Sequence, residues 1–218
     1  MYFDLSKYRV VDLTLSYNEK VAGYQRTSAK TLEKDGWNAS TLKMYSHAGT
    51  HIDAPLHFGV NLKSIDQYTP EQFLSKAWVV DVQIQGPKAQ LEVADLGKVA
   101  GLLEAGDSLI LKTGWSAHLG QPKYRDELPR ISTSLAHWCV DKKVRMLGVE
   151  PPSVADVNNL PEVTLIHQIL LGGEVIIIEG LCNLDQLRQK QVLLIALPLK
   201  IHNGDGAPAR VIALEEKT

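Results

Sequence analysis

Apolar residues recur along this chain in short runs bounded by polar residues, glycine and proline. Runs at residues 10–15, 41–46, 77–82, 108–113, 146–149, 174–178 and 192–197 have the length and β-branched content of strands, and another at 209–214 follows a Gly/Pro-rich tail at 203–208 that is expected as loop. Three stretches have helical spacing instead. Residues 93–105 form one, ended by Gly106. Residues 132–142 form another. The third, 161–171, has Asn159 as a cap, Pro161 in its first turn and Gly172-Gly173 as its stop. Strands alternating with occasional helices predict a mixed α/β fold. Nothing in the pattern marks a linker or a repeat, so residues 1–218 read as a single domain.

Composition narrows the function. The chain is 44 % apolar with a net charge of −2, and its basic residues are dispersed, which argues against a nucleic-acid-binding face. The longest apolar runs, such as Val175-Ile176-Ile177-Ile178, are far shorter than the ~20 residues of a membrane span. Met1-Tyr2-Phe3-Asp4 lacks the basic-then-apolar order of a signal peptide, which predicts a cytoplasmic protein. Cys139 and Cys182 stand far apart and form no redox or metal pair, so they are expected to be reduced core thiols.

Three of the seven histidines fall within eleven positions, in the stretch SHAGTHIDAPLHF at residues 46–58. His47, His51, Asp53 and His57 occupy its odd positions together with Gly49 and Pro55, and the apolar Ala48, Ile52, Ala54, Leu56 and Phe58 its even ones, with Thr50 an exception. Alternation of that kind places the polar side chains on one face of an extended segment. A straight strand would nonetheless separate His47 from His51 by ~13 Å, whereas ligands of one zinc ion lie ~2 Å from it. The segment is therefore expected to leave a strand near His47 and bend sharply between Gly49 and Asp53, with Pro55 interrupting regular structure. Imidazoles and carboxylates suit Zn²⁺, Mn²⁺ or Fe²⁺. Three protein donors leave a position for water, which the ion acidifies.

A second group lies further on. His167 sits in the helix expected at 161–171. Glu179 follows the apolar run 174–178, where a carboxylate is costly to bury without a partner or an ion. Gly172-Gly173 joins the two elements, so they are expected to pack together and bring His167 towards Glu179.

The segment His47-Ala48-Gly49-Thr50-His51-Ile52-Asp53-Ala54-Pro55-Leu56-His57-Phe58 resembles the signature of the cyclase family, which includes bacterial kynurenine formamidases (arylformamidases) and isatin hydrolases. Asp12-Leu13-Thr14, Leu111-Lys112-Thr113-Gly114, residues 148–154, Ile195-Ala196-Leu197-Pro198-Leu199 and Ala207-Pro208-Ala209-Arg210 extend the likeness over most of the chain. The resemblance implies a single swivelling β/β/α-type domain, with a barrel-like mixed sheet and flanking helices. It implies that His47, His51 and Asp53 hold one divalent ion, and that Asp53, His167 and Glu179 hold a second, with Asp53 bridging. It also implies that His57 is the catalytic acid/base. One or two ions per chain, zinc or manganese, and assembly as a homodimer or homotetramer follow in the same way. Trp37 and Trp115 are expected on the surface, where a contact between subunits would cover part of them.

Two features depart from the formamidase pattern. The Trp-Pro-Gly-like element after the opening strand is replaced by Glu19-Lys20-Val21-Ala22-Gly23-Tyr24. Glu150-Pro151 stands where aspartate and threonine are usual. The function expected is hydrolysis of a small-molecule, non-peptide amide, either an aryl formamide such as N-formylkynurenine or a cyclic amide. The alternatives are a lactone or ester hydrolase on the same site, a metal-binding protein without catalysis, and a module that stacks its histidines on an aromatic ligand.

Overall fold

The computed structural model describes residues 4–217. Its strands in chain order are β1 (Tyr8–Asp12), β2 (Tyr24–Lys30), β3 (Ala39–Met44), β4 (His51–Asp53), β5 (Leu74–Asp81), β6 (Gln90–Leu91), β7 (Ser108–Lys112), β8 (Arg130–Ile131), β9 (Met146–Val149), β10 (Ile176–Glu179), β11 (Gln191–Pro198) and β12 (Gly206–Glu216). The main sheet runs β1-β12-β11-β5-β7-β9-β10-β4, and a further β12–β4 pairing closes seven of its strands into a barrel, with β1 added outside. β5, β7, β9 and β10 are parallel, and the remaining contacts in the sheet are antiparallel. The expected α/β fold with a barrel-like mixed sheet is thus what the chain adopts.

Sequence periodicity explains the layers. Ile110, Met146, Ile176 and Ile178 point into one buried cluster, inside the barrel. Their neighbours Leu109, Leu111, Leu147, Val175 and Ile177 point into another. The strands carrying them are apolar at every position because both faces are covered. The outer cluster is completed by Leu135, Ala136 and Cys139 of the helix Thr133–Asp141, and by Ile166, Leu170 and Leu171 of the helix Leu160–Gly172. Both helices match the sequence expectation, and the side chains of Ser132 and Asn159 cap them. Cys139 and Cys182 are buried and unpaired. No helix is long and apolar enough to cross a membrane.

Three expectations need correction. The helix expected at 93–105 is instead a 3-10 turn, Val93–Leu96, and a single helical turn, Val99–Leu102, separated at Gly97, whose φ is +52°. Leu96 and Leu103 still reach the core, so the apolar spacing is satisfied without a continuous helix. The tail at 206–208, expected as loop, is the start of β12. There Pro208 needs no N–H donor, and its carbonyl accepts from the Leu199 N–H. Trp115, expected on the surface with Trp37, is only 7 % exposed and donates its indole N–H to the Tyr124 carbonyl. Trp37 is 56 % exposed, beyond the hairpin that β2 and β3 form.

Candidate metal centre

The seam where the barrel closes brings the polar groups together. β4 is a three-residue strand wedged between β10 and β12. His51 is the direct cross-strand partner of Glu179, and Asp53 that of Gly206. Side chains opposite one another on paired strands share a face, as do residues two apart on one strand. His51, Asp53 and Glu179 therefore converge. His51 Nε2 lies 3.2 Å from Glu179 Oε2 and 3.6 Å from Asp53 Oδ1.

His47 arrives through a turn. β3 ends at Met44, and the chain reverses before His51, with Gly49 at φ +64°. The bend thus precedes His51, whereas the sequence placed it from Gly49 to Asp53. Residues 51–53 are extended, and a 3-10 turn follows at Pro55–Phe58. Tyr17 holds the turn through a hydrogen bond from its hydroxyl to the Ala48 carbonyl, 2.7 Å, and Thr50 donates to the Gly180 carbonyl at 2.6 Å. Gly180 is required here, since a Cβ would lie 2.4 Å from the Gly49 carbonyl oxygen. The result sets His47 Nδ1 2.8 Å from Asp53 Oδ1.

His167 comes from the helix Leu160–Gly172. Its Nδ1 is 2.7 Å from the Val163 carbonyl one turn back, which fixes the ring with Nε2 facing Glu179 Oε1 at 3.3 Å and Asp53 Oδ2 at 3.5 Å. His51 is held in the same fashion, its Nδ1 2.9 Å from the Gly49 carbonyl. Backbone acceptors thus leave both Nε2 atoms turned towards the carboxylates, the usual arrangement around metal-binding imidazoles. The helix-to-strand packing expected across Gly172-Gly173 does bring His167 and Glu179 together, although Glu179 is the last residue of β10 and does not follow it.

Two donor sets share Asp53. The ligand atoms of His47, His51 and Asp53 lie within 4.8 Å of one another, and so do those of Asp53, His167 and Glu179. Burial disfavours the charged form of each imidazole, but nearby carboxylates overcome it. Glu179 and Asp53 raise His51 to about 8, and Asp53 and Glu179 raise His167 to about 10. Burial likewise opposes the charge on Asp53, yet the imidazoles of His167 and His47 hold it well below the usual carboxylate range. The buried carboxylates thus demand positive charge beside them, and Asp53 Oδ2 is buried and accepts no hydrogen bond among the described residues. A cation between the two trios would satisfy that atom, and the mixed nitrogen and oxygen donors suit a borderline divalent ion.

His57 lies beside these trios. Its ring stacks on His47 with centroids 3.8 Å apart and planes at 24°, while the Phe58 ring stacks on His167 at 4.3 Å. Burial pushes the His57 imidazole down.

Asp205 escaped the sequence analysis. Its Oδ2 lies 3.1 Å from His47 Nε2 and 3.8 Å from His57 Nδ1. Its only local signal is an acid flanked by Gly204 and Gly206, and Gly206 is needed because a Cβ would lie 2.7 Å from His47 Cε1. With Nε2 of His47 held by Asp205, Nδ1 is the atom left for an ion. Asp205→Asn is accordingly expected to weaken metal affinity by ~10–100-fold, measured by competition against a chelator. Unchanged affinity would show that Asp205 does not orient His47.

Glu150, one of the departures noted in the sequence, points elsewhere. It accepts from the Thr113 N–H at 2.6 Å, the Thr113 hydroxyl at 2.9 Å and the Ser116 hydroxyl at 2.8 Å. It therefore anchors the 3-10 turn Trp115–His118.

A kynurenine formamidase of Salinibacter ruber is 31 % identical over 188 residues, 85 % of this chain and 84 % of that protein. Isatin hydrolase A from Ralstonia solanacearum superposes with a TM-score of 0.87 at 25 % identity, covering 97 % of this chain and 93 % of that one. A structure described as a potential metal-dependent hydrolase with cyclase activity gives a TM-score of 0.77 at 25 % identity, covering 97 % and 100 %. The Cyclase family model matches residues 11–156, a span that contains the whole turn and strand bearing His47, His51, Asp53 and His57, and the chain belongs to that family.

Proposed function

We propose that this chain is a metal-dependent hydrolase of non-peptide amides, acting on an aryl formamide or a cyclic amide. The observation that carries this reading is the buried carboxylate of Asp53, shared by two donor trios and left with one oxygen unpartnered. The activities named for the formamidase and isatin hydrolase relatives, both hydrolyses of non-peptide C–N bonds, support it.

His47, His51 and Asp53 would hold a first ion, and Asp53, His167 and Glu179 a second, zinc or manganese being the ions these donors suit. When bound, such an ion polarises the substrate carbonyl and acidifies a water. The protein's own part is to place the substrate and move the proton. His57 sits against His47 with its ring partly accessible, so it can take a proton from the attacking water and pass it to the departing nitrogen. Phe58, packed on both His57 and His167, presents a non-titrating apolar surface beside that path.

Elemental analysis of gently purified protein, joined to a screen of formamides, cyclic imides and lactones, tests the reading. The expected result is one to two divalent ions per chain, with turnover of an amide. Well under one ion after reconstitution would overturn it, and turnover of lactones alone would reassign the site to esters.

Assembly is part of the same reading. The hairpin of β2 and β3 is exposed along most of its length, and it carries Leu42, 53 % exposed, with Leu32, 66 % exposed, beyond it. Apolar side chains on a projecting arm suit a contact between subunits. A homodimer or homotetramer is expected by light scattering at micromolar concentration, and a species near 24 kDa would refute it.

A further inference from the structure

A cavity of about 250 Å³ opens beside the metal-donor turn, with His47 and Gly49 at one end. Val21, Leu119 and Val157 give it an apolar body. The chain as a whole has slightly more acids than bases, 25 to 23. This cavity does not share that balance. Lys20 and Arg125 line it and no carboxylate does, although Asp126 pairs with Arg125 from outside the lining.

The two cations differ in how they are held. The stem of Lys20 lies over Gly120, where a Cβ would come within 3.1 Å of Lys20 Cγ. Its ammonium forms no ion pair or hydrogen bond with the described residues. Arg125 is anchored by one nitrogen only: Nη1 donates to Asn158 Oδ1 at 2.8 Å and to Asp126 Oδ1 at 3.0 Å. Those contacts aim the guanidinium, and its other N–H groups donate to none of the described residues.

We propose, resting on the amide-hydrolase reading above, that the substrate is anionic. It has an apolar, aryl-sized body bearing a carboxylate, and that carboxylate takes Lys20 and Arg125 while the amide faces His47. The dimensions agree: a cavity of ~150 Å³ holds benzene, so the space here admits one ring with two small substituents. The chemistry agrees as well. A guanidinium matches a carboxylate in a planar, two-point fashion, and an ammonium adds a point charge. A neutral ligand would remove water from both cations without replacing its hydrogen bonds, and a cationic ligand would be repelled. Both cations remain partly in solvent, so the preference is on the order of tenfold, short of what a fully buried pair would give.

A matched pair of substrates tests this on the metal-loaded protein. N-formyl-3-aminobenzoate and N-formyl-3-aminobenzamide have the same scissile bond and nearly the same shape, and differ in charge. The anionic member is expected to show a kcat/KM roughly tenfold higher. That ratio is expected to fall towards one in the double variant Lys20→Met, Arg125→Gln, at unchanged metal content. Equal kcat/KM values for the pair in the parent protein would overturn the proposal. So would a preference that survives in the double variant, because the carboxylate would then be held by the ion. Calorimetry with 3-aminobenzoate and 3-aminobenzamide reads the same preference without turnover. A protein that hydrolyses neither of these amides nor any formamide or cyclic imide of the wider screen, but still prefers the anion, with the preference lost in the double variant, would refute the hydrolase reading and uphold the cationic pocket. Equal affinity would refute the pocket whatever the activity.

Discussion

Asp53→Ala is expected to abolish metal binding at both trios together, whereas His167→Ala is expected to disturb chiefly the second. The difference follows from position. Asp53 Oδ1 is 2.8 Å from His47 Nδ1, and Asp53 Oδ2 is 3.5 Å from His167 Nε2, so one side chain belongs to both sets. His167 touches only Asp53 and Glu179 within the cluster. Loss of a shared donor should exceed the ~10–100-fold that loss of an outer partner costs in affinity. Thermal melts give a second readout that does not depend on substrate. An ion that binds only the folded chain stabilises it by about 2.7 kcal/mol at one hundred times its Kd. Added zinc or manganese should therefore raise the melting temperature of the parent protein and barely move that of Asp53→Ala. The variant also removes the carboxylate that pairs buried imidazoles, so Asp53→Asn, which keeps the shape, separates a folding defect from a binding one. Retention of both ions by Asp53→Ala would refute the shared-donor arrangement.

The site was legible in the sequence to the extent that its geometry is local. His47, His51, Asp53 and His57 fall within eleven residues, and a turn with a short strand is enough to bring them together. His167 and Glu179 are twelve residues apart on elements joined by two glycines, so their meeting follows from one helix packing on one strand. Asp205 lies 158 residues from His47 and reaches it only because β12 pairs with β4 as the barrel closes. No periodicity in the tail signals that pairing, and its glycines and proline read as loop. The same distinction holds for the fold. β7, β9 and β10 were visible as apolar runs because both their faces are buried. β2 was not, because Tyr24–Lys30 is polar and exposed at every position between Tyr24 and Ala29, whereas its partner β3, equally exposed, carries Leu42 and Met44. The overextended helix at 93–105 failed for another reason: two buried leucines seven residues apart suit one helix or two short turns equally, and Gly97 selects the latter.

His57→Asn is expected to keep its metal and to lose roughly 10²–10⁴ in turnover of an amide. The nitrogen leaving an amide is too basic to depart without a proton, so the reaction needs a donor as well as a nucleophile. Histidine suits both halves of that transfer, because its unperturbed pKa of about 6.5 lies near neutrality. The structure sets the His57 ring flat against His47, and neither trio needs it as a donor. Its Nδ1 is 3.8 Å from Asp205 Oδ2, close enough for the carboxylate to hold the ring as it gains a proton. Asparagine preserves the size and polarity of the side chain but cannot carry a proton, which makes it the informative replacement. An activated ester, such as a nitrophenyl ester, has a leaving group stable as an anion, so its hydrolysis should suffer much less in the same variant. The ratio of the two losses is the measurement that separates proton transfer from positioning. If His57→Asn loses its metal, His57 is a ligand completed by Asp205 and His47, whose donor atoms also lie within 4.8 Å of its own. If amide and activated ester fall together, the side chain serves to shape the pocket, and the proton travels by another route.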